Sequence, residues 1–269
     1  MRIGNKEFDI GKHTYIMGIL NVTPDSFWDG GRFLGMDRSL THVAEMINDG
    51  ADIIDVGGES TRPGYKALDA ADEIERVMPV IEAIKDRFDI PISLDTYKNT
   101  VAWAGIGAGA DMINDIWGLK GDDKMADVVS GAHVPVCIMH NRKNANYRDF
   151  MTDVISDLKE SLSIAENAGI APENIMLDPG VGFAKDRVQN LEVMAHMDEI
   201  ASLGYPVLLG VSRKSVIGDT LKLPLEERLE GSLATSAWGM MHGATFIRVH
   251  DVKEHRRLVD MMEAIRDAQ

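Results

Sequence analysis

The chain has 269 residues, 45% of them hydrophobic, a length that suits one large barrel and leaves little room for a second domain. Its net charge of −15 argues against nucleic acid or an anionic membrane as partner, because both need a positive footprint. A single cysteine excludes an intrachain disulfide and fits a reducing cytoplasm; no stretch is long and apolar enough to span a bilayer, and no secretory signal is expected from the opening residues.

Residues 1–14 do not fit the pattern that follows. Segments 2–8 and 12–15, with Gly11 between them, are expected to form a short β-hairpin closing the bottom of a barrel. From there eight short apolar runs follow, at 15–20, 52–56, 92–94, 111–113, 134–139, 175–177, 206–211 and 244–249. Helical spacing comes after each, roughly over 37–49, 69–88, 98–108, 122–131, 150–168, 187–203, 225–241 and 252–267. In the first helix Leu40, Val43 and Ile47 share a face; in the second Ile74, Val77, Met78, Ile81 and Ile84 do. Asp37 and Asp251 are candidate N-caps. Gly50, Gly109, Gly131, Gly169, Gly204 and Gly243 follow six of the helices, where a left-handed glycine is expected.

Strand–helix repeated eight times is the arithmetic of an α/β (β/α)8 TIM barrel, here a single domain over 15–269 with 1–14 as its hairpin. Strands covered on both faces read as continuous apolar runs, as these do. A doubly wound open sheet would show the same runs, but no phosphate-binding glycine fingerprint follows the first. Cys137 lies inside a run and is expected to be an inert core residue. Two strand-to-helix loops, 22–36 and 57–68, are long and rich in glycine, proline, aromatic and charged residues, and are expected to close over a reaction.

In such a barrel the active site sits at the C-terminal ends of the strands. The residues there are Asn21, Asp55, Asp95, Asn114, Asp115, His140, Asp178, Ser212, Lys214, Arg248 and His250. An acidic chain that gathers Arg62, Lys214, Arg248 and His250 near one mouth points to an anionic substrate. Asp95 and Asp178 could accept hydrogen bonds from amidine-like N–H pairs of a nitrogen heterocycle, with Asn114 adding a donor and an acceptor. Each could equally be a structural acceptor for a loop N–H. Lys214 could be a point charge, a donor to a ring carbonyl or a Schiff-base nucleophile. Arg248 could stack on an aromatic ring and still reach an anion, or pair with Asp251 or Asp178, and His250 could merely cap the last helix.

The segment Met-Gly-Ile-Leu-Asn-Val-Thr-Pro-Asp-Ser-Phe at 17–27 resembles the first signature of the dihydropteroate synthase family. Asp-Ile-Ile-Asp-Val-Gly-Gly-Glu-Ser-Thr-Arg-Pro-Gly at 52–64 resembles the second. Ser-Leu-Asp-Thr at 93–96, Ile-Asn-Asp-Ile at 113–116, Leu-Asp-Pro-Gly-Val-Gly-Phe at 177–183, Ser-Arg-Lys-Ser at 212–215 and Ile-Arg-Val-His-Asp-Val at 247–252 also resemble that family. The likeness runs from about residue 15 to 260. It implies a cytoplasmic folate-synthesis transferase that joins p-aminobenzoate to a dihydropterin pyrophosphate, in a family that is usually dimeric. Met240, Met241, Met261 and Met262, with Trp238 nearby, would then be either core filler or a dimer face.

The resemblance also implies roles. Asp95, Asn114, Asp178 and Lys214 would hold the pterin, with Arg248 stacked on it. Asn21, Thr61, Arg248 and His250 would form the pyrophosphate site, with Asn21 also a ligand of Mg2+. Phe27, Thr61, Arg62, Pro63, Phe183, Ser212 and Lys214 would frame the p-aminobenzoate pocket. Asp95, Lys214, Arg248 and Asn21 would be the catalytic residues. Trp28 stands where the family commonly has a small residue. A pterin-binding methyltransferase would share the pterin contacts but not need the two loop signatures. A Schiff-base aldolase would use a lysine within a strand, and no apolar run contains one. A degenerate binder would be expected to lose Asn21, Thr61, Arg62 or Arg248 first, and all four are present.

Overall fold

The structure is a computed structural model that describes residues 1–22, 32–59 and 68–268, with only the backbone of 32–34. Strands β1 (Arg2–Ile3) and β2 (Lys6–Glu7) pair antiparallel, so the N-terminal hairpin forms within 2–7 and not between 2–8 and 12–15 as expected, Tyr15 instead opening the first barrel strand. Eight parallel strands then close into a barrel: β3 (Tyr15–Asn21), β4 (Ile53–Gly57), β5 (Ile92–Asp95), β6 (Met112–Asp115), β7 (Val136–Met139), β8 (Ile175–Asp178), β9 (Val207–Leu209) and β10 (Ala244–Val249). β10 closes on β3, with Arg248 opposite Met17.

Because side chains alternate along a strand, each strand sends one set inward and one outward. The outward set includes Ile16, Leu20, Ile54, Val56, Ile92, Leu94, Ile113, Val136, Ile138, Leu177, Leu209, Ile247 and Val249, all buried between barrel and helices. The inward set divides by height. Low in the barrel, Met17, Ile53, Met112, Cys137, Met176, Leu208 and Phe246 form a separate apolar cluster with Ile3 and Phe8 of the hairpin. Phe8 meets Tyr15 edge-on at 4.8 Å and Phe246 at 5.7 Å, so the hairpin plugs the bottom with packed rings. Cys137 sits in this plug as a buried thiol that burial holds well above its ordinary pKa. Two residues further along each strand, the same inward parity delivers Asp55, Asp95, Asn114, Asp178 and Arg248 to the open end.

The helices are α1 (Arg32–Asn48), α2 (Ala70–Arg87), α3 (Asn99–Ala108), α4 (Met125–Ala132), α5 (Phe150–Asn167), α6 (Arg187–Ala195), α7 (Met197–Ala201), α8 (Ser215–Leu221), α9 (Leu229–Met241) and α10 (Val252–Arg266). Four expectations about the helices need correction. The helix expected from 37 already includes Arg32, so Asp37 is an exposed helical residue rather than a cap, and 32–36 is not loop. The helix expected over 187–203 breaks at His196, which caps both α6 and α7. Gly131 is inside α4, and His133 takes the left-handed cap at φ 55°. α8 was not expected; its sequence is short and interrupted by Gly218, where a Cβ would stand 2.3 Å from the Arg228 guanidinium. The other five glycines, at 50, 109, 169, 204 and 243, have the expected positive φ.

Phe8→Ala removes the ring that fills the barrel floor. It is expected to cost about 3–5 kcal/mol of stability by urea denaturation. A loss below about 1 kcal/mol would mean that the hairpin does not stabilise the barrel.

Candidate active site

The mouth is built around one cation between two anions. Arg248 on β10 donates from Nε to Asp55 Oδ2 at 2.6 Å and from Nη2 to Asp95 Oδ2 at 2.8 Å. Asp55 is fully buried and also accepts from Asn114 Nδ2 at 3.4 Å. The expected alternatives for Arg248, Asp178 or Asp251, are not its hydrogen-bonded partners. Asp251 instead takes Arg213 Nε at 2.9 Å, and its side chain does not cap α10.

Charge balance decides the protonation of this layer. Burial raises Asp95 to about 7; Arg248 pulls the other way, while the neighbouring Asp55 carboxylate adds to the rise. Burial lowers the readiness of Arg248 to stay charged, but Asp55 and Asp95 more than offset this and hold its pKa above the ordinary value. Across the mouth, Asp178 is raised by burial against the pull of Lys214 and of the Gly180 N–H, which it accepts at 2.7 Å. Burial lowers Lys214 to about 8.

Lys214 precedes α8 and donates from Nζ to Val181 O, with its ammonium 4.9 Å from the centre of the Phe183 ring. Ser212 is buried, and its hydroxyl accepts from His250 N at 3.2 Å and lies 3.1 Å from His250 Nδ1. Ser212 therefore orients His250. Asn21 ends β3 as an exposed residue, in register with Gly57 of β4. The expected residues Phe27, Trp28, Thr61, Arg62 and Pro63 lie outside the described residues.

Two glycines keep the mouth open. A Cβ at Gly57 would lie 3.6 Å from Asp95 Cβ. One at Gly210 would lie 3.7 Å from Asp178 Oδ2 and 3.8 Å from Arg248 Cβ. Bare backbone at these inward positions lies against Asp95, Asp178 and Arg248. The arrangement can bind a planar, N–H-rich heterocycle on Asp95, Asn114 and Asp178 and an anion beside Arg248 and His250.

Asp115 behaves structurally. It accepts from Trp117 N at 2.8 Å and Leu119 N at 2.7 Å, and burial raises it to about 6. Asp55 was noticed in the sequence only as one strand-end residue among many. Its signal was a carboxylate inside an otherwise apolar run, which needs a buried cation. His140 was likewise noted without a role. It is fully buried and bridges Asp157 and Lys185, with Nε2 3.0 Å from Asp157 Oδ2 and Nδ1 2.7 Å from Lys185 Nζ.

The fold of Asp95 opposes its charge, so the stability supplied by its protonated form is complete below about pH 4 and is lost as pH rises through about 7. Asp95→Asn cannot ionise. Its melting temperature is expected to gain on that of the unaltered chain between about pH 5 and pH 8. A difference that does not change with pH would show Asp95 titrating normally.

Pterin binding enzymes match the chain over residues 17–250. Among curated relatives, the dihydropteroate synthase of Clostridium beijerinckii is 58% identical over 98% of this chain and 99% of its own length. That of Bacillus subtilis is 53% identical over 94% of this chain and 88% of its own. Among solved structures, dihydropteroate synthase from Clostridium difficile in the presence of pteroic acid aligns with a TM-score of 0.94 at 50% identity, covering 96% of this chain and 99% of that one. The Xanthomonas albilineans enzyme with 4-aminobenzoic acid aligns with a TM-score of 0.90 at 39% identity, covering 94% and 93%.

Proposed function

The chain belongs to the dihydropteroate synthase family of pterin binding enzymes, and from that premise we propose how the mouth of its barrel works. The reaction joins the amine of p-aminobenzoate to the methylene of 6-hydroxymethyl-7,8-dihydropterin pyrophosphate. It gives 7,8-dihydropteroate and pyrophosphate, a carbon–nitrogen bond-forming step of folate biosynthesis. The observation that carries this reading is the pair of carboxylates, Asp95 and Asp178, held at the mouth of the barrel with Asn114, Lys214 and Arg248 around them. Burial disfavours their charge, and the amidine-like N–H groups of a pterin repay it.

Asp95, Asn114, Asp178 and Lys214 bind the pterin, and Arg248 covers its face. Arg248 and His250 meet the pyrophosphate, with Asn21 and Thr61 completing that site. Phe27, Thr61, Arg62, Pro63, Phe183, Ser212 and Lys214 frame the p-aminobenzoate pocket, and the bond of Ser212 to His250 ties that pocket to the pyrophosphate site. The carbon–oxygen bond to pyrophosphate breaks first, in an SN1-like substitution. The bond's electron pair leaves with the pyrophosphate, and the resulting cation is delocalised over the pterin methylene. Asp95, ionised when the pterin N–H groups engage it, stabilises that cation electrostatically. The neutral arylamine then attacks, and the ammonium so formed gives its proton to the departing pyrophosphate or to solvent. Segments 22–31 and 57–68 exclude water during this interval.

Asn21 fits Mg2+ in a limited sense. Among the described residues no three His, Cys, Asp or Glu side chains cluster as a cation cage. Mg2+ that arrives on phosphate oxygens and keeps several waters needs only one or two oxygens from the protein, and exposed Asn21 has one to give. Bound there it would neutralise charge on the leaving pyrophosphate.

No helix among the described residues is long and apolar enough to cross a membrane. We place the enzyme in the cytoplasm as a homodimer, with residues 15–269 as one barrel domain. The exposed Trp238 and Met241 of α9 and Met261 and Ile265 of α10 offer an apolar face for a second copy.

Pyrophosphate release from the purified protein, with pterin pyrophosphate, Mg2+ and p-aminobenzoate each omitted in turn, tests the reading. Release that needs Mg2+, accelerates with p-aminobenzoate and yields dihydropteroate is expected. Pterin binding without release would make the chain a binder only. Asp95→Asn is expected to lower kcat about a hundredfold with much smaller changes in substrate binding. Equal effects on both would leave Asp95 a binding contact alone, with no part in stabilising the cation.

A further inference from the structure

The turn after β8 is held in an unfavourable shape from below. Gly180, Gly182 and Ala184 all have positive φ, at 68°, 87° and 44°. Gly180 passes so close to β7 that a Cβ would stand 1.9 Å from His140 O, so only glycine fits. Ala184 has a Cβ and adopts this region at a cost that surrounding bonds must offset. Tyr147 Oη donates to Ala184 O at 2.9 Å, and Gly182 N donates to Asn190 Oδ1 at 2.6 Å. The inner support is Lys185. Its Nζ donates to Gly180 O at 3.0 Å, to Phe183 O at 3.2 Å and to His140 Nδ1 at 2.7 Å.

Three acceptors match the three protons of an ammonium. Burial lowers Lys185 to about 7 against the pull of Asp178; its ammonium form can only donate, so His140 accepts at Nδ1 and carries its proton on Nε2, which donates to Asp157 Oδ2 at 3.0 Å. Burial lowers His140 to about 4, so it stays neutral in this role. Arg142 holds the same carboxylate through Nε and, at 3.1 Å, through Nη2. A chain Arg142–Asp157–His140–Lys185 therefore runs from α5 and the β7 loop to the underside of the turn. The upper side of that turn supplies both contacts of Lys214: the Val181 carbonyl and the Phe183 ring.

We propose that Lys185 is a positioning residue for the transfer, holding the 180–184 turn so that Val181 and Phe183 fix Lys214 where p-aminobenzoate is received. The inference rests on the functional reading above and adds a residue that touches neither substrate. Asp178 is held on β8 by the strand ladder, so the pterin keeps that anchor when Lys185 is lost, while Lys214 and the Gly180 N–H that Asp178 accepts are what the two sides of the mouth share.

Steady-state kinetics of Lys185→Met test this. The KM for p-aminobenzoate is expected to rise about tenfold, the equivalent of one or two net hydrogen bonds, with the KM for the pterin pyrophosphate and kcat changing less than about threefold. Tyr147→Phe loosens the same turn from its outer side without removing a buried charge. It is expected to raise the same KM about twofold to threefold, and it keeps the test alive if Lys185→Met does not fold. An unchanged KM for p-aminobenzoate in both variants, or equal rises for both substrates, overturns the proposal. An unaltered chain that forms no dihydropteroate would instead overturn the functional reading, so the two failures are distinguishable.

Discussion

Arg248 reaches across the inside of the barrel to Asp55 and Asp95, and the rest of the mouth is arranged around that pairing. Two carboxylates in a space this dry would be forbidding without a cation between them. A lone guanidinium there would be equally costly. Together they leave one residual negative charge, which burial and the second carboxylate load onto Asp95. A side chain held near its titration point is easily ionised by a ligand that brings N–H donors. The pairing thus keeps the site folded when empty and responsive when occupied.

Strand parity places this charge where it is useful. The inward positions near the floor are filled by Met17, Ile53, Met112, Met176, Leu208 and Phe246, sealed beneath by Ile3 and Phe8. The next inward positions up are Asp55, Asp95, Asn114, Asp178, Gly210 and Arg248, with Ile19 and Met139 as the apolar exceptions. The apolar floor supports the barrel while the polar layer faces the opening, and the same two-residue period sets both. The turn after β8 repeats the logic on a smaller scale, with one buried lysine supporting a strained segment that presents Phe183 on its other side.

Much of this was legible in the sequence because it is local. Eight apolar runs gave the strands, and five left-handed glycines marked helix ends. Where local signals conflicted, the reading slipped. Gly218 inside α8 makes room for the Arg228 guanidinium at the cost of helical propensity, and His133 rather than Gly131 takes the left-handed cap. Asp95, Asn114, Asp178, Lys214 and Arg248 were found as a group because each lies at or just beyond a strand end. Their pairing was not legible. Arg248 bonds to residues 193 and 153 positions away, and only barrel closure with its register decides that Asp55 and Asp95, rather than nearby Asp251, meet it. Lys185 escaped notice because nothing in its neighbourhood in sequence reveals that its amine turns under its own loop toward His140.

The dependence of the mouth on this pairing is measured most directly by a double-mutant cycle on stability. Arg248→Met alone leaves Asp55 and Asp95 buried without their cation and is expected to cost about 3–5 kcal/mol. Adding Asp55→Asn to that variant removes one of the two stranded charges, and the double variant should recover more than about 1 kcal/mol of the loss. Losses that simply add would contradict the account, because Arg248 and Asp55 would then be contributing independently.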